Sequence, residues 1–252
     1  MCYTIEQRLE MAMKRAKYWN DERNIKRIEE LLRKFENKYN ASGFAHPDII
    51  AYSNEKPHEP VLFTWGLIPS WAKTEKDAKN IWNKTINARG ETLFEKPSFR
   101  DAATHKRCII PVNGFYEHHH HKGNKYPFYI KRKDNEPVNL AGIWSEWTNQ
   151  ETGEFFQTCS VVTTKANTMM AKIHNNPKLN EARMPIILTD GKEDAWLQTV
   201  GKKMDQEVLQ QFLIPFPEQK LKAYTVRKLS GKDSPGNVPE ASEEYVYDEL
   251  EM

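Results

Sequence analysis

Arg107-Cys108-Ile109-Ile110-Pro111-Val112-Asn113-Gly114-Phe115-Tyr116 is a run of β-branched and aromatic residues punctuated by Pro and Gly, the texture of a strand that is largely buried. Its neighbours repeat that texture. Val61 to Trp65, Tyr126 to Lys131, Val138 to Trp144, Phe155 to Thr163, Met184 to Leu188 and Leu221 to Val226 predict further short strands, and Ala166 to Ile173 and Glu193 to Thr199 predict short helices. Strands and helices do not alternate regularly, which argues against a doubly wound parallel sheet. The predicted class is α+β, built on a mostly antiparallel, strongly curved, barrel-like sheet with helices packed outside.

Upstream of these strands, Glu6 to Tyr39 reads as helical. Ile25, Ile28, Leu31, Leu32 and Phe35 recur at the spacing of one helix face, Asn20 and Asp21 separate two helices, and the intervening Lys, Arg and Glu form a solvated face. From about Ser230 the chain turns to Gly, Pro and then acids, so an irregular, exposed tail is expected. No internal repeat occurs, and residues 1–252 are read as a single domain.

The 252 residues are 38% hydrophobic and 29% charged, the balance of a soluble protein with a substantial core. No segment has the roughly 20 apolar residues of a membrane span, and the opening residues lack the basic and apolar regions of a secretory signal, so a cytoplasmic location is expected. Three cysteines without Cys-x-x-Cys spacing indicate neither a disulfide framework nor a thiolate metal site. Cys108 and Cys159 are expected in the core, as are Trp65 and Trp144. With a net charge of +2, any nucleic-acid binding must come from a local patch.

Cys2 is chemically distinctive, because removal of Met1 leaves its α-amine beside its thiol. An amine condenses with an aldehyde to an imine, and a thiol two carbons away closes onto it as a five-membered thiazolidine. At an α-amino pKa of roughly 7.8, about a third of the amine is neutral near pH 7.5, against on the order of a thousandth of a lysine.

Four polar segments punctuate the strands: Thr85 to Thr92 with Asn87, Arg89 and Glu91; Pro111 to Glu117; Ala141 to Trp144; and Ile173-His174. Joined to Trp65-Gly66-Leu67-Ile68-Pro69-Ser70-Trp71-Ala72-Lys73, Lys96-Pro97-Ser98-Phe99-Arg100, Thr163-Thr164-Lys165-Ala166-Asn167 and Arg183-Met184-Pro185-Ile186-Ile187-Leu188, they form a text that resembles the SRAP family, the SOS-response-associated peptidases. Members of that family crosslink covalently to abasic sites in single-stranded DNA. The resemblance runs from Cys2 to about Leu188.

It implies an active site of Cys2, Asn87, Glu117 and His174. His174 would help open the closed sugar, Glu117 would shuttle the amine proton, and Asn87 would orient the amine or a sugar oxygen. The resemblance also places Arg89 near a phosphate and offers Trp71 as a wedge or stacking face. It implies abasic single-stranded DNA as partner, self-processing peptidase activity, a possible lyase activity, and no cofactor, metal or obligate protein partner.

The chain departs from the family pattern in three places. Cys2-Tyr3-Thr4 stands where members commonly read Cys-Gly-Arg, residues 175–182 are inserted between His174 and Arg183-Met184-Pro185, and His118 follows Glu117 where tryptophan is usual. The His118 to His121 run is read as a strand end leading into a Lys122-Gly123-Asn124 turn, because sequence neighbours seldom face one metal. Two other function classes use the same residues: an N-terminal-nucleophile cysteine hydrolase acting on amides in trans, and a noncovalent single-stranded DNA binder.

Overall fold

The computed structural model describes residues 2–198 and 206–250. Its strands, in chain order, are β1 (Thr4–Gln7), β2 (Lys38–Ser42), β3 (Asp48–Ser53), β4 (Val61–Trp65), β5 (Asn87–Arg89), β6 (Arg107–Val112), β7 (Gly114–His121), β8 (Asn124–Arg132), β9 (Val138–Thr148), β10 (Phe155–Lys165), β11 (Arg183–Pro185) and β12 (Leu221–Thr225). Strands β10, β4, β3, β6 and β9 pair in that order, and β9 returns to β10, so five strands close a ring. Among the described residues, only the pairings of β10 with β4 and β5 are parallel. A second, fully antiparallel sheet runs β12-β8-β7-β1-β2. The fold is thus α+β with a barrel-like, mostly antiparallel sheet.

The largest apolar cluster joins the two sheets: Ile5, Phe115 and Ile130 from the open sheet meet Trp65, Cys108, Cys159 and Val161 from the ring. Trp65, Trp144, Cys108 and Cys159 are buried, as expected from the sequence. Gln7 joins the sheets by polar contact, its side-chain amide donating to the carbonyls of Ile50 and Pro111 (2.8 Å each) and accepting from the Ile50 amide (2.8 Å). A buried polar side chain that is fully hydrogen-bonded fixes register as well as packing.

The amino-terminal segment corrects the sequence reading. Glu6 and Gln7 belong to strand β1, Lys38 and Tyr39 open β2, and three helices lie between, Leu9–Ala12, Lys14–Trp19 and Glu22–Leu31. Ile28 and Leu32 are buried and Ile25 and Phe35 pack beside them, but Leu31 is 75% exposed, one position off the buried stripe. The Arg107 to Tyr116 run is two strands, broken at Asn113, whose side chain accepts from the Arg8 amide (2.8 Å) and whose own amide donates to the Glu6 carbonyl (2.8 Å). Gly114 follows because a Cβ there would lie 2.6 Å from the Ile130 carbonyl oxygen.

The turn after His121 is as predicted, with Lys122 and Gly123 both at positive φ (47° and 81°), the geometry that closes a two-residue hairpin. The predicted helix at 193–199 is Lys192–Leu197, and Thr199 lies outside the described residues. From Ser230 to Leu250 the chain has no strand, yet it is tied down: Asn237 Oδ1 accepts from the Tyr39 amide (2.7 Å), and the Tyr245 amide donates to Thr225 (2.8 Å). No described helix is long and apolar enough to cross a membrane.

Candidate active site

Strand β1 lies between β2 and β7, with Thr4 opposite both Ser42 and Tyr116, so Cys2 enters the gap between the sheets beside Glu117. Its side chain is fully buried, and Sγ lies 3.8 Å from the Thr4 carbonyl. Burial, and next the Glu117 carboxylate, push the Cys2 thiol up to about 12. At neutral pH the thiol therefore keeps its proton in this form of the chain.

Asn87 begins β5, which lies parallel to β10 with Asn87 opposite Val161. Its Nδ2 donates to the Cys2 carbonyl at 2.8 Å. Its Oδ1 is buried and meets no hydrogen-bond donor among the described residues. A buried acceptor left unmet costs on the order of 1–3 kcal/mol; this one sits where the Cys2 backbone passes.

Glu117 is buried on β7, and its Oε1 accepts from the His118 amide (3.0 Å). Its Oε2 lies 3.9 Å from His174 Nδ1. His174 caps the carboxyl end of helix Thr168–Ile173, which Asn167 caps at its start by accepting from the Met170 amide (2.8 Å). Both backbone groups of Arg183 are within reach of His174 Nδ1, the carbonyl at 2.9 Å and the amide at 3.1 Å, and the tautomer decides which one bonds. Burial lowers the His174 pKa, and Glu117 offsets part of that effect.

The four residues expected at the site are therefore together, and the inserted loop leaves His174 at its helix end. Two supports were not legible as such. Arg183, almost fully buried, makes a two-pronged ion pair with Glu91 (2.9 and 2.6 Å), tying the Asn87 segment to the strand that holds His174. Asn175 brackets the backbone of His120, accepting from its amide (2.7 Å) and donating to its carbonyl (2.9 Å), and His119 Nδ1 reaches the Lys172 carbonyl at 2.9 Å. These contacts fasten the His174 loop to the strand carrying Glu117. Both Arg183 and Glu91 stood inside quoted motifs, but nothing in a linear sequence pairs them.

The site opens on a groove of about 560 Å³ lined by Tyr3, Asn87, Arg89, Trp71, Lys84 and Lys96, among others. Arg89 is exposed at the end of β5, and Trp71 is 46% exposed with Nε1 donating to the Pro97 carbonyl (3.0 Å). Three cations face one acid there, Asp77, so the groove is locally positive on a nearly neutral chain. Among the described residues no group of three or more His, Cys, Asp or Glu is arranged to hold a metal ion.

The sequence model described as "SOS response associated peptidase (SRAP)" matches residues 1–232. The chain belongs to the SRAP family. It is 42% identical over 182 residues to "Abasic site processing protein YoqW" of Bacillus subtilis (strain 168), covering 72% of this chain and 75% of that protein. It is 32% identical over 154 residues to "Abasic site processing protein HMCES" of Gallus gallus, covering 53% and 43% respectively. A crystal structure of a Bacteroides thetaiotaomicron protein superposes with a TM-score of 0.83 at 34% identity, over 97% of this chain and 100% of that one. A Bordetella bronchiseptica protein does so at 0.71 and 26%, over 89% and 99%. This SRAP chain thus shares its architecture with these two solved structures over 97% and 89% of its length.

Proposed function

We propose that this chain processes abasic sites in single-stranded DNA by forming a thiazolidine between the ring-opened sugar and Cys2, once Met1 has been removed. The observation that carries this reading is the buried, unmet Oδ1 of Asn87, the residue that holds the Cys2 carbonyl, together with the buried Glu117 carboxylate that acts on the Cys2 thiol and lies 3.9 Å from His174. An ammonium at Cys2 or a sugar hydroxyl would supply the missing donor. Family membership and the names of the relatives support the substrate class.

In the proposed sequence, His174 and Glu117 together move the protons that open the hemiacetal, one off the anomeric hydroxyl and one onto the ring oxygen. Glu117 then takes a proton from the Cys2 ammonium, and the neutral amine adds to the aldehyde carbon. Glu117 returns that proton to the departing hydroxyl, water leaves, and an iminium remains. The thiol adds to the iminium carbon, its proton passing to Glu117. Net, one C–N and one C–S bond form and one water is lost. Arg89, Lys84 and Lys96 supply phosphate contacts and Trp71 a stacking face. The same thiol is proposed to attack the Met1 carbonyl with Glu117 taking its proton, so that the amide bond breaks, the Cys2 amine is freed and water hydrolyses the remaining thioester to release methionine; β-elimination of the 3′ phosphate from the iminium would give a lyase side activity.

A denaturing gel tests this. Met1-processed protein incubated with abasic single-stranded DNA is expected to give a slow-migrating band that Cys2→Ala abolishes. Absence of the band, or an equal band from Cys2→Ala, overturns the reading. Turnover of an amide substrate without DNA capture would instead support the hydrolase.

A further inference from the structure

Residue 3 of this chain is a tyrosine, and its ring lies on Phe44 with centroids 5.0 Å apart and planes 29° from parallel. Phe44 is nonetheless 55% exposed. It stands on a braced turn: the Gly43 amide donates to the Tyr3 carbonyl (2.8 Å), Ser42 Oγ accepts from the Phe44 amide (3.3 Å), and His46 closes the turn in the left-handed region. Gly43 is pressed so closely onto the core that a Cβ would lie 2.6 Å from Ile86 and 3.3 Å from the Trp65 ring. An exposed phenylalanine on a turn held this firmly is a preorganised apolar face.

The position of this pair is the second observation. Tyr3 lines the cationic groove together with Asn87 and Arg89, and it also lines a second cavity of about 240 Å³ together with Phe44, Tyr116 and Glu117. The reactive residues therefore open on two sides, with Tyr3 bordering both openings. Trp71 offers an exposed aromatic face in the first groove and Phe44 one in the second.

Resting on the proposed function, we infer that the Tyr3–Phe44 pair is the stacking platform for the base of the nucleotide adjoining the abasic residue, on the side of the strand that leaves through the second cavity. An abasic residue has no base to stack, so the grip on the strand must come from its neighbours. Stacking tolerates any base, as a lesion without sequence context requires. The cavity walls around the pair include Asn40, Ser42 and Ser230, neutral groups that suit a base edge, while the cations gather in the other groove.

The test uses single-stranded oligonucleotides carrying one tetrahydrofuran residue, an abasic analogue without an aldehyde, so that only binding is read. Two further probes replace the 5′ or the 3′ neighbour with a second tetrahydrofuran. Phe44→Ala is expected to weaken binding of the first probe roughly five- to 150-fold, to make no difference on one of the doubly substituted probes, and to be rescued by Phe44→Trp. Equal binding by Phe44→Ala, or the same loss on every probe, overturns the inference. Capture of a true abasic oligonucleotide by the processed wild-type protein is measured in parallel. If capture succeeds while Phe44→Ala binds normally, only the platform falls; if the wild type neither binds nor captures, the functional reading falls with it.

Discussion

Replacing Glu117 by Gln should move two properties of Cys2 in opposite directions. Burial and then the Glu117 carboxylate raise the Cys2 thiol from 9.0 to about 12. At pH 8 a thiol titrating at 9.0 is about one-tenth thiolate, and one titrating near 12 is about one part in ten thousand, so alkylation of Cys2 should be about a thousandfold slower than that of an ordinary thiol. Iodoacetamide labelling of the Met1-bearing protein, read by peptide mass at Cys2, is expected to accelerate about tenfold per pH unit from about pH 6 to pH 10 without a plateau. Glu117→Gln removes the negative charge facing the thiolate and should speed labelling, yet it removes the proposed proton carrier and should slow DNA capture. A wild-type plateau near pH 9, or labelling that Glu117→Gln leaves unchanged, would refute the electrostatic coupling between these two residues.

Glu91→Gln removes the two-pronged partner of the buried Arg183 guanidinium and leaves Glu181 at 3.1 Å as its remaining carboxylate; it should cost about 2 kcal/mol, lowering the thermal midpoint by roughly 4–8 °C, and a midpoint within a degree of wild type would contradict this. Burial holds His174, and likewise His118, below the ordinary imidazole value, so the folded protein binds those protons less tightly than the unfolded chain. Stability is then complete above about pH 6.5 and lost as pH falls toward the depressed values. Thermal melts across that window should show the decline, shallower in His174→Asn; identical slopes would count against it. Asn175→Ala releases the bracket on His120 and should slow capture on the order of tenfold to a hundredfold, while moving the pH profile of capture. Loss of melting temperature without change in that profile would reduce Asn175 to a structural role.

Most ring strands were legible: β6 is buried at every position, which selects a continuous β-branched run, and Val61–Trp65, with Phe63 and Trp65 buried and Leu62 exposed, was read to the residue. Strand β1 was not, since its polar residues are buried in every position and satisfied by partners more than forty residues away, Gln7 by Ile50 and Pro111. Charged helix-forming neighbours hid it further. β2 and Asp48–Ser53 escaped for lack of a long periodic pattern. At the candidate site, Cys2 stood out by its place after Met1, whereas Asn87, Glu117 and His174 were each unremarkable alone and were reached through the combined motifs. The Tyr3–Phe44 pair, the Asn175 bracket and the Arg183–Glu91 ion pair exist only once the sheets are assembled, because each joins segments that no local spacing relates.

Intact mass spectrometry of the Met1-processed protein after capture of abasic single-stranded DNA is complete, with and without borohydride added at that point, tests the Cys2 aminothiol most directly. A thiazolidine predicts one adduct at the summed mass less one water, formed equally in both samples and mapped to Cys2. An adduct that appears only under borohydride, or that maps to a lysine, would contradict it.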